Sequence, residues 1–175
     1  MESIEGDELG EVAAHGQSVW RLIVRILGND GQDAADCFQQ AFVELASRHR
    51  RMNDIRDAGP LLRRIATARA IDSVRRRIRD RRQSRAMVAH AAAAHPRFEP
   101  GAQVQAIELL DDLRSALAEL PEAQAAAFVL TRIDNMPHDQ AARAIGVSAN
   151  HLAVLLHRAS VTLRQRLASH SPVRE

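Results

Sequence analysis

The sequence predicts an all-α fold: two small helical domains joined by a flexible linker, the second carrying a helix-turn-helix. Three observations carry this. Apolar residues recur at spacings of three and four in every long segment, and nowhere at the period of two that a half-buried strand requires. Aromatics are only 3% of the 175 residues and Tyr is absent, whereas Ala and Leu, both strong helix formers, abound. An Ala-rich stretch with Pro96, Pro100 and Gly101 separates two groups of helices.

The elements follow in order. Val19, Leu22, Ile23, Ile26 and Leu27 make one apolar stripe, ended by the turn residues Gly28-Asn29-Asp30-Gly31. A second helix is expected over about Asp33–Ser47, with Phe38, Ala41, Phe42 and Leu45 on its apolar face and Asp33 and Asp36 near its start, where the helix dipole favours carboxylates. Residues 48–59 carry no stripe and read as a loop. Pro60 suits the first turn of a third helix, in which Leu61, Ile65, Ala68, Ile71, Val74 and Ile78 form the stripe. Residues 86–106 read as the linker, so the domains are expected at 1–85 and 107–175 and to move independently when free. In the second domain, Ile107, Leu110, Leu113, Leu117 and Leu120 form a stripe that Pro121 ends. Helices are then expected over about Glu122–Ile133, His138–Ile145 and Ala149–Leu167, with Gly146 just past the second of these and Ser148 capping the third. A short helix, a Gly-containing turn and a longer helix make the helix-turn-helix layout.

The net charge of +2 conceals a strong polarity. All 24 basic residues are Arg. Residues 1–47 hold two Arg against nine acids, whereas residues 48–85 hold fourteen Arg against four. Guanidinium groups fork onto phosphate and stack on bases, so the Arg-coated third helix points to nucleic acid. The acidic second helix suits a basic partner. Cys37 is the one cysteine, which excludes an internal disulfide and fits a reducing, cytoplasmic setting. The His pairs lack metal-ligand spacing, and no phosphate-binding glycine loop or nucleophile elbow is visible. No catalytic residue, metal or cofactor is therefore expected. Apolar runs are short and the first eleven residues are acidic, so no membrane insertion or signal segment is expected.

Taken in order, these segments resemble bacterial RNA polymerase sigma factors of the extracytoplasmic-function group of the sigma-70 family. Residues 33–47, DAADCFQQAFVELAS, are similar to that family's core-binding helix. Residues 61–77, LLRRIATARAIDSVRRR, are similar to its promoter-melting and −10-binding helix. Residues 117–167 are similar to its −35-binding region, through LAELPEAQAAAFVL, DQAARAIGVS and LLHRASVTLRQRL. The resemblance implies that Asp33, Asp36, Gln39, Gln40 and Phe42 dock on the clamp helices of the largest polymerase subunit, while the second domain meets the flap of the second-largest. It implies DNA contacts by Arg48, Arg50, Arg51 and Asn53 in the loop, by Arg63, Arg64, Arg69, Arg75, Arg76, Arg77 and Arg79 on the third helix, and by Ser148, Asn150, His151 and Arg158 at the last. It also implies an anti-sigma factor or another regulator. The chain departs from the family pattern at three places. Gln40 replaces a Glu, Gly59-Pro60 stands where an aromatic is common, and Ala153-Val154-Leu155 replaces a polar run.

The reading is a non-catalytic transcription initiation factor that binds core RNA polymerase, directs it to promoter DNA and helps melt it. Two rivals stay open. One is a helix-turn-helix regulator that binds duplex DNA without polymerase; the other is a helical adaptor whose last helix binds protein.

Overall fold

The computed structural model describes the backbone of residues 4–28, 31–51, 58–88 and 102–168, and side chains within 15–28, 31–48, 58–84 and 106–168. Among the described residues there are seven α-helices: α1 (Ile4–Leu27), α2 (Gln32–Arg51), α3 (Ala58–Val88), α4 (Ala102–Glu119), α5 (Glu122–Phe128), α6 (His138–Ile145) and α7 (Ala149–Ala168). No strand occurs among the described residues. A π-helical turn, Val129–Ile133, continues α5.

The long α3 is the spine. It packs against α1 and α2 on one side and against α4, α5 and α6 on the other. Its stripe explains this: Leu62, Ile65, Ala66, Ala70, Ile71 and Val74 are all buried. Small residues take part in this packing: Ala34, Ala41, Ala66 and Ala70 are fully buried. Gly59 illustrates the point, because a Cβ there would lie 2.8 Å from His15 Nε2. An aromatic shortly before Leu61 and Leu62 is thus replaced by a site where α1 comes down onto the start of α3. On α2 the aromatic ladder runs inward: Phe38 meets Trp20 edge-on at 5.7 Å and Phe42 at 4.6 Å.

Two apolar clusters result. The smaller joins the end of α5 and the π turn to the helix-turn-helix and contains Ala127, Leu130, Met136, Ala141, Ala142, Leu152, Leu155 and Leu156. The larger unites α1, α2 and α3 with Ala116, Leu117, Leu120, Ala125, Val129, Ala159 and Leu163. The two halves expected to move independently therefore share one core in this structure. Hydrophobic burial is non-directional, so stripes on α4 and α7 that face α3 gain as much there as within their own half.

The helix boundaries correct the sequence reading in three places. Residues 48–51 are helical, because α2 runs on through its basic end, where Arg48 pairs back to Glu44 at 2.6 Å. Residues 58–59 open α3, and residues 52–57 of the expected loop lie outside the described residues. Residues 86–88 and 102–106 of the expected linker are helical, leaving 89–101 outside the described residues. The stripe of α4 is also only partly a core stripe: Ile107 and Leu110 are 59% and 48% exposed.

The helix-turn-helix matches its expected elements. Gly146 follows α6 with φ 82°, its N–H bonded to Ala142 O, and the Ser148 hydroxyl accepts the His151 N–H at 3.2 Å, capping α7. The π turn was not legible. In it the Asp134 N–H reaches Val129 O at 2.9 Å and the Thr131 hydroxyl donates to Ala127 O at 2.7 Å. Asn135, at φ 56°, then reverses the chain before Pro137, a conformation that Asn tolerates better than most residues.

Candidate nucleic-acid interface

The guanidinium row of α3 divides into hooked and open members. Arg75 is held three ways: its Nε donates to Ala118 O at 2.8 Å, its Nη2 to Leu120 O at 2.9 Å, and its Nη1 to Asp72 Oδ1 at 2.8 Å. The two carbonyls close the C-terminal end of α4, where unpaired carbonyls favour a cation. Arg63 donates to Asp134 Oδ2 and to the Ser18 hydroxyl, each at 3.3 Å. Arg77 meets Asp33 Oδ2 at 2.5 Å and Leu27 O at 3.1 Å. Arg69 forks onto Glu44 through Nε at 3.1 Å and Nη2 at 2.5 Å. Arg76 and Arg79 are exposed.

The seam between the halves is polar as well as apolar. Arg25 donates to Ile133 O and Arg114 to Ile26 O, each at 3.2 Å. It also leaves donors unpaid. Arg63 Nε, Arg64 Nε and Thr67 Oγ1 are buried with no hydrogen-bond partner among the described residues. A cavity of about 170 Å³, lined by Glu44, Arg64, Thr67, Arg69, Arg75 and Glu122, opens beside them. Each buried donor left without an acceptor costs about 1–3 kcal/mol, so the seam is less stable than its apolar area implies.

Two carboxylates show opposite balances. Burial pushes Glu44 up, but the hydrogen bonds from Arg69 and Arg48 outweigh it and hold the carboxyl below its ordinary value. At Asp134 burial wins over the attraction of Arg63 and Arg25, so its carboxyl titrates above the ordinary value. The long 3.3 Å contact to Arg63 agrees with that incomplete compensation. Burial likewise raises the Cys37 thiol, with Asp33 adding to it. Cys37 is a core residue, its Sγ 3.5 Å from Arg69 O.

The outer face of α2 presents Asp36, Gln39, Gln40 and Val43, the last 65% exposed. Among the described residues Asp36 accepts a local bond, from Gln32 Nε2 at 2.8 Å. Phe42 is half-buried against Phe38, and Asp33 is occupied by Arg77. On α7 the exposed face carries Asn150, His151, Ala153, Val154, His157 and Arg158, whereas Leu155 is buried in the helix-turn-helix core.

With this geometry, comparison with known families is decisive. Residues 12–80 match the family described as Sigma-70 region 2, and residues 110–163 match Sigma-70, region 4; together they span more than half of the chain. The chain belongs to the sigma-70 family. The "ECF RNA polymerase sigma factor SigE" of Mycolicibacterium smegmatis is 32% identical to it over 167 residues, 94% of this chain, and the chain spans 62% of that relative's length. A likeness of fold extends to the sigma factor RpoE from Bartonella quintana, solved in complex with the anti-sigma factor NepR. The TM-score is 0.52 at 18% identity, over 93% of this chain and 97% of that one.

In sigma-70 terms, α1–α3 hold region 2 and α4–α7 hold region 4. Of the residues singled out from the sequence, the fold gathers Arg63, Arg64, Arg69 and Arg75 along the seam, and Arg48 beside Arg69 on the shared carboxylate of Glu44. It sets Asp36, Gln39 and Gln40 on an open face of α2, and Asn150, His151 and Arg158 on an open face of α7. The side chains of Arg50 and Arg51, and Asn53 altogether, lie outside the described residues. The sequence reading missed Asp134, Arg25 and Arg114, whose roles come from tertiary contacts, and Val43, whose exposure on an apolar-poor face was readable from the helical register alone. No helix among the described residues is long and apolar enough to cross a membrane.

Proposed function

We propose that the protein is a cytoplasmic transcription initiation factor. It docks on core RNA polymerase through α2, holds the −10 region of the promoter with α3, and reads the −35 element with α7. The single observation that carries this is one chain holding three surfaces in the sigma-70 order: an open acidic and polar face on α2, a guanidinium row on α3 and a capped helix-turn-helix. The protein contributes no bond chemistry; its work is positioning and strand capture. The row that would hold the −10 strand is partly covered by region 4, so engagement requires the seam to open. An exchange of Arg75 from the α4 carbonyls to phosphate suits this, because both acceptors take the same fork of donors. A protein regulator of the anti-sigma class, the kind of partner found with the Bartonella neighbour, fits as the agent that holds the seam closed.

The test is reconstitution with purified core polymerase. Promoter-specific transcripts are expected from the wild-type chain. Asp36→Arg, whose carboxylate accepts from Gln32 among the described residues, is expected to weaken association with core by about tenfold or more, since like charges across an interface cost several kcal/mol, while the helical circular-dichroism signal stays intact. Duplex binding without any polymerase dependence would instead favour an autonomous regulator, and neither activity would favour an adaptor.

A further inference from the structure

The exposed face of α7 is chemically unusual for a groove-reading helix. Positions 150, 153, 154, 157 and 158 fall on one side by their spacing of three and four, and all five are exposed. The face holds one cation, Arg158, with Asn150 at its start, His157 beside Arg158, and at its centre Val154, 44% exposed. Val154 is the one large apolar side chain of α7 that is exposed; Leu152, Leu155, Leu156 and Leu163 are all buried. Ser148 is committed to capping, since its hydroxyl accepts the His151 N–H, so it is a positioning residue that fixes the start of the helix.

The major groove offers one apolar feature among its hydrogen-bonding edges, the thymine C5 methyl, and Asn pairs through two bonds with adenine N6 and N7. Asn150 and Val154 are four residues apart, a rise of roughly 6 Å along the helix. At roughly 3.4 Å per base step, that is about two steps of DNA. We propose that Val154 is a specificity-determining residue that recognises a thymine methyl, with Asn150 recognising an adenine about two steps away. This rests on the −35 reading above and names the base chemistry it takes. The departure of Ala153-Val154 from a polar run is, on this account, an exchange of phosphate and guanine contacts for an apolar one. Readout by region 4 is then biased to A·T pairs and only weakly dependent on salt.

The experiment uses holoenzyme assembled from the full chain and core polymerase, with a promoter library randomised in its upstream element. In the selected sequences each thymine is replaced in turn by deoxyuridine, which removes the methyl and nothing else. One position is expected to lose about fourfold in affinity, the equivalent of one buried methyl group. Val154→Ala should lose the same factor on the thymine promoter and show no further loss on the uridine one. Being exposed, that substitution leaves the fold intact. A selected upstream preference with no uridine-sensitive position, or with sensitivity unchanged in Val154→Ala, overturns the methyl contact and leaves the −35 reading standing. A library without any upstream preference overturns both.

Discussion

The basic face of α3 and the exposed face of α7 are both assigned to DNA, yet they are built on opposite plans. On α3 the charge is dense and largely engaged: Arg63, Arg69, Arg75 and Arg77 all hold acceptors of their own chain. On α7 the charge is sparse and the reading face is exposed among the described residues. Under the proposed function, the first surface would be a store of phosphate contacts released by rearrangement, and the second a standing arrangement of base-edge contacts. The difference shows that a count of arginines measures capacity for binding nucleic acid rather than availability. Availability is decided by the acceptors: Asp134 and the carbonyls of Ala118 and Leu120, on the other half, hold Arg63 and Arg75, whereas Glu44 and Asp33, on the same half, hold Arg69 and Arg77.

The strongest way to break the contrast is to loosen the cover. Leu120 is 2% exposed in the shared core, and its carbonyl holds Arg75. Leu120→Ala is expected to cost about 2–5 kcal/mol of stability, read from a urea titration, and to raise the affinity of the free chain for a single-stranded −10 oligonucleotide. A stability loss without gain in strand binding would mean that the cover does not limit α3. The contrast sharpens with salt. Arg76→Ala combined with Arg79→Ala should flatten the salt dependence of promoter binding by about 0.7 to 0.9 per contact, whereas Asn150→Ala should shift sequence preference and leave the slope unchanged. Binding titrations at several salt concentrations decide it; equal slopes in both variants would place the α3 row in solvent rather than on phosphate.

The smallest expected effect concerns pH. Glu44 has a lowered folded pKa, so it contributes stability in full above its unfolded value, about 4.3, and loses it as pH falls through the folded one. Glu44→Gln should therefore lower stability near neutral pH by about 1 kcal/mol and flatten the acid limb of the stability curve below about pH 4, as measured by thermal melts across pH. Asp134 has the reverse sign: its raised pKa makes its burial costly at neutral pH, and that cost fades as pH falls through the raised value. An acid limb as steep in Glu44→Gln as in the wild type would remove the Arg69–Glu44–Arg48 cluster from the account.

What the sequence showed, and what it hid, follows from range. The stripe Val19–Leu27 and the Gly146–Ser148 turn were legible because period and capping are local properties. The end of α2 was not, since RHRR carries no stripe and its helix is held by the Glu44–Arg48 pair instead. Ile107 and Leu110 had the spacing of core residues, but spacing reports a shared face and not what covers it. The seam was hidden for the same reason: Arg75 and Ala118 are 43 residues apart, and nothing in either neighbourhood signals the other. Within the candidate interface, the types of residue on each face were readable, and their partners were not.

The π turn at Val129–Ile133 gives the chain a joint whose setting depends on length rather than chemistry. Each residue of an α-helix turns the chain by about 100°, and a π turn takes up one residue more than an α turn. Deleting a single residue there would let α5 close as an ordinary helix and swing everything downstream by about that angle. The exposed side of α7 would then aim elsewhere, with its composition, hydropathy and charge all intact. For the direction in which this helix points, insertions and deletions at one short segment outweigh any substitution on the helix itself.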